Sequence, residues 1–149
     1  MWIVIQQKWS LNMLNFFLLL IVFLMVFKLL VSLNHPSAIW CRQSDSNYIW
    51  LHSLLESLCV EYTFRYGRVH KVDSSGLMQV LKQVPTNIPQ GTFTEPTPAM
   101  PDDVKVKGNS LASYRNYYRD YKQHLLSWKG KINSRPTPQW IFDPELNNA

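Results

Sequence analysis

The chain has 149 residues, with 15 Lys plus Arg against 10 Asp plus Glu and a formal net charge of +5. Two Cys, five Gly and 13% aromatics exclude a disulfide-stapled miniprotein, a collagen-like or Gly-rich chain and a disordered tail. What remains is one small globular unit with a segment attached to it.

Residues 1–10 are a short leading tail. From Leu11 to Leu33 the chain is apolar except for Asn12, Asn15, Lys28 and Ser32, a length that crosses a hydrocarbon core of about 30 Å as one helix. Lys28 lies off centre, where it can snorkel, and its cost of roughly 3 kcal/mol is outweighed by the run of strongly apolar neighbours. The exit Val31-Ser32-Leu33-Asn34-His35-Pro36 lacks a small-x-small cleavage pattern. A retained single transmembrane helix over 11–33 is therefore expected, rather than a cleaved signal peptide. Flanking charges nearly balance. The basic remainder and the low Cys count favour a cytoplasmic domain.

Residues 34–149 have the length of one modest domain. Lys8 and Lys28 are the only bases before it, so 13 of the 15 bases face all 10 acids, a net of +3 that names no partner by itself. The spacing predicts a helix over 45–66, capped by Asp45 or Ser46 and stopped by a left-handed Gly67. Its core face is read as Tyr48, Leu51, Leu54, Leu55, Leu58, Cys59, Tyr62 and Tyr66. Glu61 and Arg65, four apart with the acid first, read as a surface ion pair. Cys41 and Cys59 lie more than four turns apart in this scheme, so reduced thiols are expected.

A basic knot follows in Arg65, Arg68, His70 and Lys71 around Gly67. It either offsets the helix dipole or holds a phosphate. A shorter helix is expected after Asp73-Ser74-Ser75, burying Leu77, Met78, Val80, Leu81 and Val84 and stopping at Pro85. Residues 85–107 carry five Pro and admit no long regular element, so they form a Pro-rich loop pinned by Phe93, Ala99 and Met100.

The last helix is expected over 110–128, with Leu111, Tyr114, Tyr118, Tyr121, Leu125 and Trp128 on one face. Arg115, Arg119, Lys122 and Lys129 fall on an adjoining sector of the wheel, with Asp120 on the far side. Eight bases and one acid lie between Lys105 and Arg135. A basic stripe beside aromatics suits nucleic-acid phosphates or anionic lipid headgroups; the alternative is a core helix with a solvated flank. The end, Arg135 to Pro144, reads as a closing strap docked by Trp140 and Phe142.

For catalysis the inventory is thin. His35, His52, His70 and His124 share no metal-ligand spacing with one another or with the two Cys, and there is neither a Gly-rich phosphate loop nor a nucleophile elbow. No catalytic residue, metal or cofactor is expected, and each His is read as a polar packing residue.

Several blocks in fixed order carry a resemblance: His35-Pro36-Ser37-Ala38-Ile39-Trp40-Cys41-Arg42, Asn47-Tyr48-Ile49-Trp50-Leu51, Glu61 to Lys71, Pro85-Thr86-Asn87-Ile88-Pro89, Ala99-Met100-Pro101-Asp102, Tyr114-Arg115-Asn116-Tyr117-Tyr118 and Trp128-Lys129. Over about Asn34 to Trp140 the chain resembles a small protein family of tailed phages and other large DNA viruses, some of whose members are labelled as similar to pyrimidine-dimer DNA glycosylases. The resemblance implies a compact helical DNA-repair fold. Dimer glycosylases use a free N-terminal amine as nucleophile beside a helical Glu. Here the apolar segment stands in place of the family's soluble N-terminal part, the amine precedes it, and no Glu takes the partner role.

The expected protein is mainly α: a single N-terminal transmembrane helix, then a small domain of about three helices with a Pro-rich loop. Its expected function is that of a viral-type single-pass membrane protein that binds rather than catalyses. The alternative is a nucleic-acid-binding or DNA-repair-like, glycosylase-related protein, as a truncated copy. The residues named for binding nucleic acid or headgroups are Arg115, Arg119, Lys122, Lys129, Arg65, Arg68 and Lys71.

Overall fold

The computed structural model describes residues 34–142, so the span read over 11–33 lies outside the described residues. Within them the protein is helical and contains no strand. No helix among the described residues is long and apolar enough to cross a membrane.

Five α-helices follow in chain order: α1 (Pro36–Cys41), α2 (Asp45–Tyr66), α3 (Lys71–Ser74), α4 (Leu77–Leu81) and α5 (Ser110–Tyr121). Single 3-10 turns lie at Asp102–Val104, Gln123–Leu125 and Gln139–Ile141. The caps explain the starts. The His35 ring accepts from the Ser37 N–H at 3.2 Å, with Pro36 in the first turn of α1, and the His70 ring accepts from the Val72 N–H at 3.3 Å to start α3. The cap of α2 is Ser44, whose Oγ accepts from the Asn47 N–H at 3.2 Å. This corrects the expected Asp45 or Ser46. Asp45 sits in the first turn, its carboxylate accepting from the N–H groups of Ser46 and Gly91. Gly67 ends α2 at φ +62°, and its N–H donates to the Thr63 carbonyl.

The principal core gathers Trp40, Cys41, Leu51, Leu54, Leu55, Leu58, Cys59, Val72 and Met78. A second, smaller cluster joins Tyr118 to Trp140, with Tyr114, Tyr117, Leu126 and Ile141 packed around it. The Pro-rich loop lies along the start of α2. Phe93 meets Trp40 edge-on at 6.0 Å and Trp50 at 5.7 Å, which pins the loop as its composition suggested.

Several expectations are met only in part. The helix expected after Asp73-Ser74-Ser75 is present as α4 but ends at Leu81, short of Pro85, and an unexpected short helix, α3, precedes it, with Gly76 turning left-handed at φ +76° between them. Val80 is 71% exposed rather than buried. The last helix stops at Tyr121, since Lys122 leaves helical geometry and the chain tightens into the 3-10 turn at Gln123–Leu125. Of the residues placed on its aromatic face, Tyr118 is buried, whereas Tyr121 and Leu125 are exposed. In the strap Trp140 docks, but Phe142 is 72% exposed.

Candidate functional site

One straight stripe of α2 explains what α2 holds at each end. Asn47, Leu51, Leu54, Leu58, Glu61 and Arg65 follow one another at steps of four and three, and all six are buried. At the first end Asn47, with 0% exposure, satisfies its amide completely. Its Nδ2 donates to the Trp40 carbonyl and to Thr94 Oγ1, each at 2.9 Å, and its Oδ1 accepts from the Thr94 N–H at 2.9 Å. Nearby, Asp45 N–H donates to the Pro89 carbonyl and Trp40 Nε1 to the Thr94 carbonyl. The loop is thereby laced to α1 and α2.

At the other end the stripe carries charge. Glu61, 2% exposed, accepts from Arg65 Nε at 2.7 Å and from Arg135 NH2 at 3.0 Å. The pair read as superficial is therefore internal, because Leu54 and Leu58 point the same stripe inward and the two charges neutralise each other there. Burial alone would raise the Glu61 pKa. Hydrogen bonds from Arg135 and Arg65 and their positive charges outweigh it and hold the carboxyl below its ordinary value.

The segment 127–135 closes over this end. Ile132 N–H donates to the Arg65 carbonyl at 2.8 Å, Asn133 Nδ2 to the Phe64 carbonyl at 2.9 Å, and an Arg65 guanidinium nitrogen to the Ser127 carbonyl at 3.2 Å. The Arg135 guanidinium lies 4.0 Å over the Phe64 ring. Gly130 allows the approach, since a Cβ there would meet the Asn133 carbonyl and lie 2.9 Å from Arg65 Cβ.

The closure brings together two base-rich segments that are distant in sequence. Residues 65–71 bring Arg65, Arg68 and Lys71; residues 127–135 bring Lys129, Lys131 and Arg135; neither segment contains an acid. Arg65 and Arg135 are engaged with Glu61. Arg68, Lys71, Lys129 and Lys131 are exposed, and none of them forms an ion pair among the described residues. Their charges also lie at the end of α2 where the helix dipole is negative. Such an arrangement can hold a multiply charged anion by Coulomb attraction and hydrogen bonding.

The stripe expected on the last helix is dispersed instead. Arg115 is half-buried with its guanidinium 5.6 Å from the Trp140 ring, and burial lowers its pKa. Arg119 Nε donates to Asp120 Oδ1 at 2.8 Å, so the acid assigned to the far side of the wheel bends back to the base beside it. Lys122 stands 5.7 Å over the Tyr117 ring. Lys129 has left the helix altogether and belongs to the end of α2. The sequence reading missed Asn47, Glu61 and Arg135 as organisers, although the step from Leu54 and Leu58 leads directly to Glu61.

The remaining titratable groups are structural. His52 Nε2 lies 3.2 Å from the Met78 carbonyl, and the Tyr48 hydroxyl donates to the Leu81 carbonyl at 2.8 Å, tying α4 to α2. Cys41 and Cys59 are free and buried, and burial pushes both thiols up to about 11. Among the described residues no group of His, Cys, Asp and Glu is placed to hold a metal ion. No protein-family model, curated protein or solved structure matches the chain.

Proposed function

We propose that this chain is a single-pass membrane protein, with residues 11–33 as its span, whose helical domain binds nucleic-acid phosphates through the basic end of α2. The carrying observation is the hydrogen-bonded junction of residues 65–71 with 127–135, which leaves Arg68, Lys71, Lys129 and Lys131 exposed around one end of one helix. A phosphate chain presents repeated charges at a spacing that several such cations can meet together. The viral family resemblance and the buried free thiols, which suit a reducing compartment, agree with this reading.

Position along α2 favours nucleic acid over lipid headgroups. The chain enters the domain through α1, which packs against the first half of α2 by way of Trp40 and Trp50. Asn47 and Arg65 are roughly 27 Å apart along the axis at 1.5 Å per residue. The basic end therefore lies about that far along α2 from the point where the chain enters the domain.

The full chain in mild detergent, titrated against dye-labelled DNA by anisotropy, tests this. Engagement of about four phosphates should weaken binding on the order of a hundredfold between about 50 and 200 mM salt. The quadruple change Arg68→Ala, Lys71→Ala, Lys129→Ala, Lys131→Ala should abolish binding at the higher salt. Undiminished binding by that variant would overturn the proposal, as would capture by phosphatidylglycerol vesicles without capture of DNA. A carbonate wash of membranes tests the span separately: extraction of the chain would remove it.

A further inference from the structure

We propose that the basic end of α2 selects unpaired nucleotides, stacking a base on Tyr66 while Arg68 and Lys71 hold the adjoining phosphates; this rests on the phosphate-binding reading above. Tyr62 and Tyr66 stand four apart on α2 with ring centroids 4.9 Å apart. The left-handed turn at Gly67 folds the chain back, so that the His70 ring meets Tyr62 edge-on, also at 4.9 Å. The three rings make a short ladder whose outer member, Tyr66, is 40% exposed. Arg68 and Lys71 belong to the turn that closes the ladder. Val69 and Ile132, both exposed, add an apolar rim.

The setting distinguishes Tyr66 from two other exposed rings, Tyr121 and Phe93. Tyr121 is 48% exposed, but its hydroxyl donates to Asp103 at 2.5 Å and it adjoins Asp120, so a phosphate beside it would be repelled. Phe93 is fastened against Trp40 and Trp50. Among these three, Tyr66 combines an open ring with Arg65, Arg68 and Lys71 close by in the chain; of the acids at this end, Glu61 is neutralised by Arg65 and Arg135, and Asp73 lies toward His70. A duplex keeps its base faces inside its own stack and offers the ring nothing, whereas a single strand offers both a face and a phosphate.

The test compares oligodeoxythymidylate of about 20 nucleotides with a duplex of the same length, again by anisotropy on the full chain. The single strand should bind at least about tenfold more tightly. Tyr66→Ala should erase that preference while leaving duplex affinity unchanged, and Tyr66→Phe should retain it. Equal affinity for strand and duplex, both lost together in Arg68→Ala/Lys71→Ala, would overturn the selection of unpaired nucleotides and leave phosphate binding standing. Absence of binding to either probe at low salt would overturn both. Because Tyr66 is partly exposed, its variants test binding without removing a core residue.

Discussion

The two ends of α2 solve one problem with different chemistry. Each must turn a buried polar residue toward a chain segment with little regular structure of its own. At the first end Asn47 matches its neutral amide to the Trp40 carbonyl and to Thr94. At the other, Glu61 gathers two guanidinium groups and so fixes residues 127–135. The bonds of Asn47 are neutral and indifferent to pH and salt over the ordinary range, and charge enters at this end only through the Asp45 carboxylate, which accepts from the Gly91 N–H. The charged junction depends on ionisation, and the segment it fastens brings further cations to the surface. Fastening a loop requires only hydrogen bonds; gathering positive charge at one place also requires an internal counter-charge.

The largest effect should come from breaking the charged end. Glu61→Ala leaves Arg65, whose side chain is 6% exposed, buried without its partner and should cost about 3–5 kcal/mol in urea unfolding. Arg135 adds less to that loss, because its side chain is 45% exposed and solvent screens it. Replacing Glu61 and Arg65 together by Leu should cost less than Glu61→Ala alone, since no uncompensated charge stays inside. If the double variant is the weaker one, the pair is not the internal pair described here.

The neutral end should yield less. Asn47→Ala removes three hydrogen bonds and strands the Thr94 N–H, while the Trp40 carbonyl keeps the Gln43 N–H, for a cost of about 2 kcal/mol. Hydrogen exchange should then increase mainly over residues 89–94. A response spread equally to residues 127–135 would mean that the two ends are not separately fastened.

The comparison also shows what the sequence could disclose. Hydrophobic spacing placed α2 within its observed bounds, and Gly67 marked its end, because apolar period and glycine caps are local signals. The same spacing runs through Asn47, Glu61 and Arg65, yet Glu61 and Arg65 read as a surface ion pair and Asn47 was not placed on the core face. Their partners, Thr94 and Arg135, lie 47 and 74 residues away, so nothing local revealed that they would be satisfied. The helix beginning at Ser110 was legible for the same reason as α2. Its early stop was not, because it depends on Leu126 and Trp140 packing around Tyr118. Of the bases of the candidate site, Arg68 and Lys71 were legible as one group, whereas Lys129 was assigned to the last helix and Lys131 was not singled out; the junction was not legible, since it is made by backbone hydrogen bonds such as Ile132 to Arg65.

Acid should separate the ends more gently than substitution. The Glu61 pKa is lower in the folded chain than in the unfolded one, so the unfolded state binds the proton more readily as pH falls. The stabilisation is complete above the ordinary carboxylate value of 4.5 and is lost as pH drops through the lower folded value. Thermal unfolding should therefore become pH-dependent in that acidic window, and the dependence should weaken in the Glu61/Arg65 double Leu variant. Asn47→Ala should shift the whole curve down without changing its shape.

The smallest effect separates folding from binding. Arg68, Lys71, Lys129 and Lys131 are exposed and without ion pairs among the described residues, so alanine at each should change stability by no more than about 0.5 kcal/mol. Removing several together relieves repulsion between like charges and should move the melting temperature slightly upward at low salt. The same changes should remove DNA binding. Loss of binding with stability preserved would show that Glu61 holds the fold while the bases around it are free to meet a ligand; loss of both would make those bases part of the junction.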